Sequence, residues 1–266
     1  MKKLCVLLLG ILLSAGSVFA APIDVTCENG IYHIVLSGEK IRKRISFVVS
    51  DGLMSNREAH KRARSELTIN AGFFDPENEK TISYVVTDRN TAADPLFNEN
   101  LYSNPILRRN LDKILNRTEF RVVECDNEYR YEIVSHKSGV DFGCNIITSA
   151  QGGPLVYPQL KLEEEFFVVK DENGNVIRES ASVLHKTART IIGLKDGDAH
   201  ILIITDENPM DMYDVQKLCR EMGFDRAMAF DGGSSTSMNY KNKIEVVSNS
   251  DGGGRLLKSF MIIPKK

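Results

Sequence analysis

One stretch of the chain concentrates groups able to do chemistry: Asp231-Gly232-Gly233-Ser234-Ser235-Thr236, reached directly from the apolar run Ala227 to Phe230. Glycines let a backbone turn sharply and bring its N–H groups close to a ligand. Three consecutive hydroxyls add donors and acceptors beside them. A carboxylate in such a place can bind sugar hydroxyls, hold a cation or transfer a proton. The same residues also suit a plain hairpin turn in which Asp231 only caps backbone groups. The stretch therefore needs company.

Company comes from three other places. Asn70-Ala71-Gly72-Phe73-Phe74 sets an amide at the end of a brief apolar run, and its two aromatic residues suit a core better than a sugar platform. Gly152-Gly153-Pro154 follows a strand as a tight turn would. Arg189-Thr190 opens another apolar run, and a guanidinium is the side chain best shaped to grip a phosphate with two parallel donors. Nothing reads as Gly-x-Ser-x-Gly, so serine-based acyl transfer is not indicated. The five histidines show no metal-ligand spacing; His185, near Arg189, is the one to watch.

Asn70 to Phe74, Gly152 to Pro154, Arg189-Thr190 with Gly193, and Asp231 to Thr236, in that order, resemble the pattern of the phosphodiester glycosidases, over roughly Ser46 to Ile263. Ala71 and Ser234 stand where that family commonly has glycine. Thr205-Asp206-Glu207-Asn208 replaces a strand end that is often Asp-Gly, and the polar stretch from Asp88 towards Cys125 has no counterpart. The resemblance implies hydrolysis of a sugar-1-phosphodiester or a related glycosidic bond. Arg189 would neutralise the phosphate. Asp231 and Asp206 would be the two carboxylates that glycoside hydrolysis ordinarily uses. Asn70, Gly72, Gly152, Gly153, Thr190, Gly232, Gly233, Ser234, Ser235 and Thr236 would line the pocket, with Asn70 positioning a sugar hydroxyl. No cofactor is assigned; a divalent cation held by Asp206 and Asp231 is one option, with few other oxygen ligands in reach. Two further readings stand beside this one: a non-catalytic carbohydrate or envelope-polymer binding protein using the same cleft, and an exo-glycosidase without phosphate in its substrate.

The elements that must position these groups are mostly strands. Short β-branched runs over 31–36 and 44–49, a strand at 67–70 and another at 81–87 precede a polar stretch with a helical segment near 107–115. Hairpins follow around Asp126-Asn127-Glu128 and Asp171-Glu172-Asn173-Gly174, and strands over 144–149, 190–194, 199–205 and 226–230. Ser55 to Arg64 reads as a capped helix. Met212, Val215, Leu218, Cys219 and Met222 recur at helical spacing until Gly223, with Asp211 and Asp214 at the capping end. Strands over 235–240, 243–247 and 257–263 close the chain. Many strands with few helices, not regularly alternating, predict a single α+β domain over 21–266 with a mixed, largely antiparallel sheet core and a few flanking helices.

The first twenty residues are of another kind. Lys2 and Lys3, the apolar run Leu4 to Leu13 and the small residues up to Ala20 are the parts of a secretory signal, with cleavage expected after Ala20. The apolar run is too short for a membrane anchor, so the mature chain is expected to be secreted or periplasmic. Losing those two lysines takes the formal charge from −2 to −4; with no basic run, nucleic acid is a poor partner and a carbohydrate or sugar phosphate a better one. Cys27, Cys125, Cys144 and Cys219 remain, enough for two disulfides in an oxidising compartment. Cys125 with Cys144 is the first choice, and buried thiols are the alternative.

Overall fold

The computed structural model describes residues 22–248 and 254–265; the expected signal over 1–20 lies outside the described residues. The first half of the chain forms β1 (Ile23–Glu28), β2 (Ile31–Leu36), α1 (Glu39–Arg42), β3 (Ser46–Met54), α2 (Asn56–Arg62), β4 (Ser65–Asn70), β5 (Val85–Thr87) and β6 (Asn90–Ala93). Three short helices follow, α3 (Asn100–Ser103), α4 (Pro105–Arg109) and α5 (Leu111–Leu115). They lead into β7 (Thr118–Cys125), β8 (Glu128–Ser135), β9 (Cys144–Gln151) and β10 (Leu155–Tyr157). The remainder is β11 (Val168–Lys170), β12 (Val176–Glu179), β13 (Arg189–Lys195), β14 (Asp198–Ile204), α6 (Met212–Glu221), β15 (Arg226–Ala229), β16 (Ser237–Tyr240), β17 (Ile244–Val247) and β18 (Leu257–Pro264).

The strands assemble as a six-stranded sheet β1-β2-β14-β13-β15-β10, two five-stranded sheets β17-β16-β4-β18-β3 and β6-β5-β9-β7-β8, and the hairpin β11-β12. Every pairing among the described residues is antiparallel. This is the expected α+β domain, with no parallel ladder in it. No helix among the described residues is long and apolar enough to cross a membrane.

The six-stranded sheet is buried on both faces at its centre, and the alternation of side chains along a strand shows how. Ile192, Ile201, Ile203, Met228 and Phe230 join one apolar cluster with Phe47, Ile69, Phe120 and Met261 of the other sheets. Their neighbours Ile191, Leu202, Ile204, Ala227 and Ala229 face a second cluster with Val215 and Cys219 of α6. Helix α6 is held in register by Asp211, whose carboxylate accepts from the N–H groups of Tyr213 and Asp214, and it stops at Gly223 (φ +70°). Gly193 is explained here as well: a Cβ on it would press into the Phe224 ring at 2.4 Å. Cys219 is a free thiol buried in that second cluster and Cys27 a free exposed one, while Cys125 and Cys144 oppose each other on β7 and β9 and form a disulfide.

Candidate functional site

Strands β13, β14 and β15 bring the sequence motifs together at one sheet end. Ile204, the last residue of β14, lies opposite Arg189, the first of β13. On the other side of β13, the Phe230 N–H donates to the Thr190 carbonyl. Asp206 and Asp231 therefore leave the same end of the sheet on strands flanking β13, whose axes are two strand spacings, about 10 Å, apart. Asp206 sits on the exposed loop after β14, whereas Asp231 is half-buried.

The main chain of Asp231 is clamped by the end of β4. Its N–H donates to the Ala71 carbonyl at 3.0 Å, and its carbonyl accepts from the Asn70 amide at 2.6 Å. The Asn70 carbonyl oxygen accepts from the Thr190 hydroxyl at 2.7 Å and from the Ser237 N–H at 3.0 Å. Asn70 thus ties β4, β13 and the two ends of the 231–236 loop with one side chain. It is 1% exposed. This corrects the expectation that it meets a sugar hydroxyl: its carbonyl is spent internally and it lies beneath the loop.

The other interior motif residues have similar roles. Gly72 is buried, and a Cβ there would meet Ser83 Cβ at 2.6 Å; Ser83 Oγ accepts from the Phe73 N–H. Gly152 packs on β15 so closely that a Cβ would stand 2.5 Å from the Ala229 carbonyl oxygen. Gly153 (φ +100°) donates its N–H to that carbonyl, and a Cβ on it would collide with Glu165 Oε2 at 2.3 Å. Thr190 and Thr236 are fully buried. Gly72, Gly152, Gly153, Thr190 and Thr236 build the floor of the site rather than its opening.

Arg189 departs most from expectation. Its guanidinium is buried and donates to four main-chain carbonyls: Met210 at 2.8 Å, Ala181 at 3.3 Å, Ser182 at 2.7 Å and His185 at 2.6 Å. Burial lowers its pKa to about 10, so it stays protonated at neutral pH. The His185 ring turns outward to Glu179. A guanidinium with four carbonyls around it pins loop 181–185 and the segment before α6; it is poorly placed to grip a phosphate. The Gly233 N–H is likewise committed, donating to the Ala188 carbonyl at 2.8 Å.

What the loop presents outward is Asp231, Gly232, Gly233 and Ser234, all half-buried. Residues 233–235 form a 3-10 turn that buries Ser235 beneath them. Burial raises the Asp231 carboxyl to about 6; hydrogen bonds from the Ser235 hydroxyl and the Gly232 N–H, with the charge of Arg255, hold it from rising further. Among the described residues no group of three or more His, Cys, Asp or Glu side chains is placed to hold a metal ion.

Three participants escaped the sequence reading. Arg255 stands beside the loop, its Nη1 3.4 Å from Ser235 Oγ. The signal that would have found it is the run Asp251-Gly252-Gly253-Gly254 directly ahead of the last strand. Glu165 accepts from the Thr118 N–H and hydroxyl and the Leu155 N–H, locking the 152–155 turn, and burial raises its pKa. Arg117 lies over the Phe167 ring at 4.0 Å and donates to the Glu165 carbonyl. No local pattern marks either of them.

The fold and this strand-end site define a class of compact β-rich domain, and comparison with known proteins names it. Residues 63–263 match the phosphodiester glycosidase family, and the chain belongs to that family. Among solved structures it is similar to the catalytic domain of zebrafish N-acetylglucosamine-1-phosphodiester alpha-N-acetylglucosaminidase, auto-inhibited there by its pro-peptide. The TM-score is 0.66 at 13% identity, covering 92% of this chain and 82% of that one. A protein from Burkholderia pseudomallei K96243 named for an expected export gives 0.61 at 12% identity, covering 88% and 74%. A hypothetical protein from Synechocystis gives 0.57 at 12% identity, covering 90% and 61%. Among curated proteins none matches.

Proposed function

We propose that the protein is an exported hydrolase that cleaves a sugar-1-phosphodiester, or a related glycosidic linkage, at the 231–236 loop. The observation that carries this reading is the Asp231 carboxyl: it stands at the end of a buried strand, on a residue whose main-chain carbonyl is held by the Asn70 amide, and burial raises it to about 6. A group poised near the working pH is what proton transfer needs. Hydrolysis adds water across the C1–O bond. The water oxygen bonds to C1, the phosphate monoester departs with the electron pair, and Asp231 takes the proton that water gives up. The departing phosphate has its own second pKa near about 6, so the proton can pass onward at little cost. Asp206, at the same sheet end, is the second carboxylate of the reading. The half-buried Gly232, Gly233 and Ser234 form the wall a sugar meets, while Asn70, Arg189 and Thr190 act by positioning. Export rests on the signal-like segment 1–20.

The test compares the mature chain on sugar-1-phosphodiesters, followed by 31P NMR, with p-nitrophenyl glycosides of the same sugars. Release of a phosphate monoester supports the reading. Glycan binding without product from either substrate favours a carbohydrate-binding protein, and turnover of the aryl glycosides alone favours an ordinary glycosidase. Amino-terminal sequencing of the secreted protein, expected to begin at Ala21, tests export.

A further inference from the structure

The Arg255 guanidinium lies 4.9 Å over the Phe74 ring and 3.4 Å from Ser235 Oγ, and Ser235 in turn bonds to the Asp231 carboxylate. The chain is aimed there by Gly254 (φ +71°), where a Cβ would press on Val247 at 2.9 Å. Phe74 is itself buried, so the ring that supports the cation is fixed in the core. Among the described residues the fork makes one hydrogen bond, a long one, whereas the fork of Arg189 makes four. An ionised Asp231 repels any anion brought to the loop. A neighbouring guanidinium offsets that repulsion and offers two parallel donors to a phosphoryl group.

We propose that Arg255 is the anion anchor of this site: its fork takes the phosphoryl oxygens of the substrate and leaves Asp231 facing the adjoining C1–O bond. This rests on the function proposed above and adds to it the residue that makes the substrate a phosphodiester rather than a neutral glycoside. Ser235 joins the two parts, accepting from Arg255 and donating to Asp231, so the anchor and the titrating carboxyl are held at a fixed offset.

The experiment measures inorganic phosphate binding by isothermal titration calorimetry in wild type, Arg255→Gln and Arg255→Lys. It pairs this with the ratio of kcat/KM on a sugar-1-phosphodiester to that on the p-nitrophenyl glycoside of the same sugar. Arg255→Gln is expected to weaken phosphate binding about 10- to 100-fold and to lower the ratio by a comparable factor. Arg255→Lys should fall between, since a point charge replaces the fork. Should Arg255→Gln fail to fold, the lysine variant carries the test. Phosphate affinity unchanged by either variant, or no phosphate binding by wild type at millimolar concentration, overturns the anchor. If phosphate binding depends on Arg255 but neither substrate class is turned over, the anchor stands and the hydrolase reading falls.

Discussion

Two arginines lie close to the same loop and are used in opposite ways. Arg189 enters from below, on an internal strand, and its fork is surrounded by the carbonyls of Met210, Ala181, Ser182 and His185. Arg255 enters from the side, after a glycine run in the sequence, and rests on an aromatic face with, among the described residues, a single hydroxyl as hydrogen-bond partner. A guanidinium offers five donors. When carbonyls of an irregular loop take most of them, the residue is part of the scaffold; when they remain open beside a carboxylate, it can meet a ligand. Charge type alone does not separate the two, and donor accounting does.

The comparison is broken most severely if Arg189 proves dispensable. Arg189→Ala strips four main-chain carbonyls of their donor and leaves a cavity where the buried side chain was, and is expected to cost about 3–5 kcal/mol in chemical denaturation. Asn70→Ala removes three hydrogen bonds, two of them buried, that join β4, β13 and the loop, and should cost about 2–3 kcal/mol, with a loss of turnover that follows the loss of loop order. Were either variant as stable as wild type, the scaffold assignment would be wrong.

Asp231→Asn should move stability the other way. The folded carboxyl titrates near 6, above its ordinary value of 3.8. The stability contributed by its protonated form is complete below about 4 and is lost as pH rises through about 6. Removing the ionisation is therefore expected to stabilise the protein at neutral pH by about 1–3 kcal/mol, with the gain vanishing by about pH 4. Thermal melts across pH 3.5–8 would show it; parallel curves for the two proteins would contradict it. The smallest effect falls on Arg255→Ala, expected to change stability by less than about 1 kcal/mol because its fork is half-exposed and lightly bonded. A melt depressed as far as that of Arg189→Ala would erase the distinction between the two arginines.

How much of this was legible depends on where each signal resides. The apolar run of β14, the capped α6 with its Gly223 stop, and the hairpin at Asp171 to Gly174 were readable because periodicity, capping and turn residues are local. The pairing of β1 with β2 was locally signalled too, by Asn29-Gly30 with positive φ at both positions. Strand β1 nevertheless went unread, because most of its side chains face solvent. Strand β6 is short, polar and at an edge, and only its partner defines it. The strand expected over 81–87 begins at Val85 because the hydroxyl of Thr81 turns the chain back on Ser83. The site followed the same rule. The order of its motifs was visible, and so was the carboxylate at the end of a buried strand. Which arginine would be swallowed and which left open was not, because that depends on how the irregular loop 181–185 and the segment at Met210 wrap around the side chain, and no periodicity or turn signal marks that wrapping.

The most direct test of the account is the pH dependence of kcat/KM on a sugar-1-phosphodiester for wild type and Asp231→Asn, with both proteins shown to be folded by circular dichroism. The account predicts a wild-type profile with a limb near about 6 and a variant slowed by about 100-fold or more that lacks this limb. A variant that keeps both the rate and the limb would place the chemistry elsewhere and contradict it.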